Sequence, residues 1–246
     1  MPSSSFAQAC EQTHSVFEAT IPAGALSLRA RLITPAAPGG WVIIGYSQQY
    51  RHFAMPANPF GRAGLATMHL QLLPPQETLP RFDSDTATQM AQRLFFAIRW
   101  LRAEVDTASG PIGLFGAYQD AGVALSAAAL LGSEVGAIVS WQGRPDRSMN
   151  HLSDITAPTL LLANERDEAV FAANVQARWW LRCTQQLALV PGRLRLLRER
   201  SSFQMVNQLA GNWYRQHLLG RQPLKSFPSQ LLTVANSHEW GSAVRH

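Results

Sequence analysis

The sequence is short of the residues that staple small or metal-built scaffolds. Its two cysteines, Cys10 and Cys183, stand far apart with no CxxC or Cys/His spacing, which excludes a disulfide framework and a zinc site. No metal or cofactor is expected. Charged residues make up only 15% of the 246, against 46% hydrophobic, so disorder is excluded as a default and one large core can be buried. Long apolar runs are also missing: the longest, "AGVALSAAALLG" at 121–132, is too short to span a bilayer. The opening "MPSSSFAQACEQ" has neither a basic n-region nor an apolar h-region. A soluble, cytoplasmic protein without membrane contact is expected.

The net charge is +5, and its densest source is "GRLRLLRER" at 192–200, with Arg193, Arg195, Arg198 and Arg200. No recognised nucleic-acid motif accompanies this run, so a solvated arginine face is the better reading and nucleic acid an unlikely partner.

What is present is an alternation of short β-branched runs with longer helical patterns, the mark of a mostly parallel sheet covered on both faces. "VFEATI" and "LSLRARLI" around "PAG" predict an opening hairpin. "WVIIGYS", "LATMHLQLL", "PIGLF", "GAIVSW", "TLLLAN" and "QLALV" supply six further strands. Helices are predicted after an Asp83 or Ser84 cap, over "DAGVALSAAALL", near 168–182, and over "FQMVNQLAGNWYRQHLL". Residues 1–220 read as one α/β domain and 221–246 as a tail without pattern.

Six short motifs recur in a telling order: "GLAT" (64–67), "PIGLFGA" (111–117), "GRPD" (143–146), "APTLLL" (157–162), "RDEAV" (166–170) and "VPG" (190–192). On these the chain resembles the dienelactone hydrolase-like branch of the α/β hydrolases, including members fused to phosphoribosyltransferases. The resemblance runs over roughly residues 14–220 and implies an eight-stranded, mostly parallel sheet with helices on both faces.

It also implies a site whose occupants have changed. In such enzymes the nucleophile sits on a G-x-Nu-x-G elbow. Here "GLFGAYQDAG" (113–122) keeps Gly116, places Tyr118 at the nucleophile position and replaces the second glycine with Asp120. A phenol with a pKa near ~10 is a poor nucleophile without a base, and its oxygen lies far from where a serine hydroxyl would act. Asp120 as nucleophile would require the elbow to slip by two residues; a carboxylate answering the free N–H groups of the first helical turn is preferred. Asp167 stands at the family's acid position, but Arg195 stands where its histidine is expected, and no histidine occurs between His151 and His217. Arginine stays protonated, so an Asp167–Arg195 ion pair is expected in place of the relay. The H-G-S-G-like turn that holds the oxyanion site reads "GYSQQYRH" (45–52), matching at Ser47 and the Arg51–His52 pair.

Other constellations are weaker. Ser47 and His52 have no acid placed between them, Ser140 reads as a buried small residue, and His69 and His217 read as packed or surface histidines. The expectation is a hydrolase-fold protein without a working Ser-His-Asp triad that binds or assembles. Tyr46, Ser47, Tyr50, Tyr118, Gln119 and Trp141 would line a site for a small apolar or aromatic ligand. If those rings close the pocket, a second copy of the chain or another protein is the expected partner. The alternative is a hydrolase or lyase of non-standard mechanism, acting on a small ester or lactone through Tyr118 with Asp120 or His52.

Overall fold

The computed structural model of the protein describes residues 14–47, 59–74, 77, 83–108, 110, 112–191 and 200–221. The predicted hairpin is β1 (Ser15–Ala23) and β2 (Leu26–Thr34), paired antiparallel about a turn in which Gly24 takes φ 65°. The six remaining strands are β3 (Trp41–Tyr46), β4 (Ala66–Gln71), β5 (Ile112–Ala117), β6 (Val135–Trp141), β7 (Thr159–Asn164) and β8 (Gln185–Val190). They form one sheet in the order β1-β2-β4-β3-β5-β6-β7-β8. Only β1–β2 and β2–β4 run antiparallel; every other pairing is parallel.

Parallel strands need crossovers, and helices supply them on both faces. α1 (Ser84–Glu104) starts where expected, with the Asp83 side chain accepting from Thr86 N at 3.0 Å. It packs with α2 (Gln119–Leu131), the short α3 (Met149–Leu152) and α4 (Glu168–Arg178) over one core, built on Leu94, Ile98, Leu101, Val123, Leu125 and Ile138. α5 (Arg200–Leu218) covers the other face with Val206, Ala210, Trp213 and Tyr214 against Val42, Phe115 and Val139. The small residues of α2 have a clear use, because the helix is buried almost all round between sheet and neighbours. Tyr214 donates its hydroxyl to Leu114 O at 2.7 Å, clamping α5 to the central strand.

One prediction needs correction. The helix expected near 168–182 ends at Arg178, where Trp179 N bonds Gln176 O and Trp180 N bonds Ala177 O. These tighter bonds turn the chain so that Leu181 is buried and β8 can begin, leaving Trp179 and Trp180 exposed. Among the described residues no helix is long and apolar enough to cross a membrane. Residues 222–246, nearly all of the proposed tail, lie outside the described residues.

Candidate functional site

Strand order locates the site before any side chain is considered. From β3 the chain steps outward to β4 and then returns to the opposite side of β3 for β5, so the order reverses between β3 and β5. Crevices form beyond the carboxyl ends of parallel strands at such a reversal. The residues there are Ser47, just past β3, and Tyr118, just past β5.

Tyr118 is the apex of a sharp strand-to-helix turn, with φ 54° and ψ −122° between β5 and α2. This is a sparsely populated conformation for a bulky residue and costs on the order of 1–3 kcal/mol. Its surroundings impose it. A Cβ at Gly116 would stand 2.4 Å from Asp120 O and 2.7 Å from Ala121 Cα, so helix and strand meet with no room for a side chain there. Tyr118 N donates to Trp141 O at 2.8 Å, tying the apex to the end of β6. The half-buried Tyr118 ring packs on Trp141 with centroids 5.7 Å apart, and Trp141 meets Phe203 of α5 edge-on at 5.3 Å.

Asp120 lies in the first turn of α2, not at the apex, so the elbow has not slipped. Its carboxylate was expected to answer the free N–H groups of its own helix; it is bonded instead by Ser47, just past β3. Ser47 N donates to Asp120 Oδ2 at 3.0 Å, and Ser47 Oγ is 3.3 Å from the same oxygen. Gln119 Nε2 in turn donates to Ser47 Oγ at 2.8 Å. The physical cause is that Ser47, beyond the last ladder residue of β3 and 2% exposed, has a buried N–H that must find an acceptor. Asp120 is itself 3% exposed, and its Oδ1 has no hydrogen-bond partner among the described residues. Burial pushes its carboxyl up to about 7, against the pull of the two Ser47 hydrogen bonds.

At the end of β7, Asp167 caps α4, its carboxylate accepting from Val170 N at 3.1 Å. The cation near it is Arg144 of the "GRPD" turn. Arg144 forks onto Asp146 through Nε at 2.9 Å and Nη2 at 2.6 Å. That hydrogen bonding raises the guanidinium pKa, and the charge of Asp167 adds to it. The turn is held by Asn174, whose Nδ2 donates to Gly143 O at 3.0 Å and to Val170 O at 2.7 Å. Gln142, also at positive φ (52°), accepts from Asn164 N through its side chain, joining the ends of β6 and β7.

The structure therefore brings together Ser47, Tyr118, Gln119, Asp120 and Trp141 of the residues singled out above. Tyr46 is the half-buried last residue of β3. Tyr50, His52 and Arg195 lie outside the described residues, and with them the expected Asp167–Arg195 pair. Ser140 is buried. His69 is half-buried on β4, His151 is exposed, and His217 packs at a tilt on Trp213, centroids 4.1 Å apart, with its pKa lowered by burial. Among the described residues no three His, Cys, Asp or Glu side chains gather as a metal site. Sequence reasoning missed the Ser47–Asp120 contact, which spans 73 residues, and Arg144, whose only signal was the "GRPD" motif around it.

Comparison with known proteins agrees with this architecture. The crystal structure of dienelactone hydrolase from Anabaena variabilis superposes with a TM-score of 0.73 at 31% identity, over 83% of this chain and 99% of that one. The chain belongs to the dienelactone hydrolase-like branch of the α/β hydrolases. A dienelactone hydrolase-like promiscuous phosphotriesterase from metagenomic libraries shares the fold at 13% identity and a TM-score of 0.66, over 83% of this chain and 99% of that one. Two Mycobacterium tuberculosis proteins named "Putative phosphoribosyl transferase" are 36% identical over 210 residues, 84% of this chain and 47% of theirs. The chain thus spans about half the length of the curated relatives it matches. No family model matches it.

Proposed function

We propose that this hydrolase-fold protein binds a small apolar or aromatic ligand and does not hydrolyse esters by a Ser-His-Asp mechanism. The single observation that carries this reading is the Asp120 carboxylate seated on Ser47 N–H. An oxyanion hole in this fold draws one donor from the residue after the nucleophile and one from the turn after β3. Here the second donor is already spent on an internal anion. With Asp120 at about 7, the carboxyl is largely ionised only above neutral pH, where its charge opposes an oxyanion developing beside the same N–H. The apex residue adds to this, because a phenol on a strained turn lacks both the reach and the base of a serine nucleophile.

The test is a panel of p-nitrophenyl acetate and butyrate together with a fluorophosphonate probe on purified protein. Turnover at background and no covalent label are expected; a burst with an adduct mapped to Tyr118, Asp120 or Ser47 would overturn the reading.

A second reading rests on one observation. Asp120, at about 7, falls in the range of a general base at neutral pH and stands two residues from the Tyr118 hydroxyl. Lyase or hydrolase activity on a small ester or lactone, abolished by Tyr118→Phe, would favour it over the binding role.

A further inference from the structure

We propose that the outer edge of β1 is the contact surface of a symmetric dimer, in which two copies of the chain pair their β1 strands antiparallel about a two-fold axis at Phe17. β1 ends the sheet on one side, with no strand beyond it among the described residues. The opposite end is closed, since Leu187, Ala188 and Val190 of β8 are each exposed by 1% or less. On β1, by contrast, Phe17 is 70% and Val16 47% exposed. An open edge with apolar side chains is a template for another strand.

The hairpin decides which backbone groups face outward. Its two-residue turn makes Ala23 and Leu26 the closing hydrogen-bonded pair, and such pairs alternate along an antiparallel ladder. Ile21, Ala19, Phe17 and Ser15 therefore bond to β2, while Val16, Glu18 and Thr20 aim N–H and C=O away from the sheet. Pro22 shares that outward parity but has no N–H to offer, so the usable edge ends before it.

Self-matching of this edge selects the second copy as its occupant and fixes the register. With the axis at Phe17, Val16 and Glu18 of the second copy exchange hydrogen bonds. The two Phe17 rings then meet as a non-hydrogen-bonded pair, where side chains come closest. The one charge on β1, Glu18, avoids its like and stays with Arg31 at 3.4 Å. An axis at Glu18 would set two carboxylates face to face, and one at Ala19 would spend an outward N–H on Pro22. Phe17 lies on the Leu32 face of the sheet, under α1, and α1 carries the exposed Phe96, so apolar surface beside the axis extends beyond the strands.

The experiment is sedimentation equilibrium of the purified protein from about 1 to 100 µM, where a dimer of twice the chain mass is expected. Val16→Pro removes an outward N–H without touching the β1–β2 bonds, and Phe17→Lys puts like charges on the axis. Each should weaken association at least about tenfold. The register is tested separately, with Cys10 and Cys183 replaced by serine. Phe17→Cys should close a disulfide between copies on mild oxidation, whereas Ala19→Cys, which faces Ser15 of the second copy, should not. A monomer throughout the range, a dimer that both edge variants leave intact, or one that Phe17→Cys does not link would overturn the proposal.

Discussion

The ends of β5 and β7 are built in opposite ways. After β5 the defining feature is backbone: a sharp strand-to-helix turn, φ 54° and ψ −122° at its apex, around a tyrosine. After β7 the defining feature is a side chain: Asp167 caps α4, and its charge is felt by the permanently charged Arg144. The difference teaches that turn geometry and side-chain chemistry are held by separate forces. The elbow persists because Gly116 leaves no other path for helix and strand to cross, whatever stands at 118. Asp167 needs no histidine to be stabilising, because an N-cap carboxylate satisfies a free N–H of α4 by itself.

The largest effect expected is a gain of chemistry at the β5 end. Tyr118→Ser alone should remain unlabelled by a fluorophosphonate, whereas Tyr118→Ser with Asp120→Gly, which frees Ser47 N–H, and Arg195→His, which supplies a base, should acquire detectable labelling by mass spectrometry. Labelling of the single variant would show that the carboxylate does not block the site.

Next in size is the cost of the buried carboxyl itself. Its folded pKa, about 7, lies above the ordinary 3.8, so its contribution to stability is full below about pH 4 and is lost as pH rises to about 7. Asp120→Asn removes that loss: urea denaturation should give equal stability near pH 4 and a variant more stable by up to about 4 kcal/mol at pH 8. A variant less stable at pH 8 would mean that the charge is compensated.

Gly116→Ala should destabilise by about 3 kcal/mol in the same assay, since its Cβ meets backbone atoms that cannot step aside. The smallest change belongs to β7. Asp167→Ala should cost about 1 kcal/mol, the worth of a helix cap, and leave ligand binding unaltered. A larger loss there would mean that the Arg144 turn depends on Asp167, and the contrast between the two ends would narrow.

Most of the architecture was legible beforehand. Alternation in the opening hairpin, continuous apolar runs in the six other strands, the small residues of α2 and helical spacing elsewhere placed the eight strands and the helices α1, α2, α4 and α5, because strands covered on both faces bury every side chain while a one-sided helix buries a stripe. "GLFGAYQDAG" announced both the turn and its altered apex. The Ser47–Asp120 bond was not legible, because neither residue is unusual in its own neighbourhood and their meeting depends on β3 and β5 being adjacent. The same holds for Arg144: a lone arginine in "GRPD" carries no sign of which carboxylates surround it.

By itself, then, the sequence determined the order of elements, the small residue at 116 and the bulky one at 118, since these follow from side-chain volume and hydrophobic pattern. Only the tertiary structure decided where charge is spent. Burial gave the Asp120 carboxylate its raised pKa and handed it the Ser47 N–H, and a desolvated group takes whatever partner the packing of distant strands brings within reach.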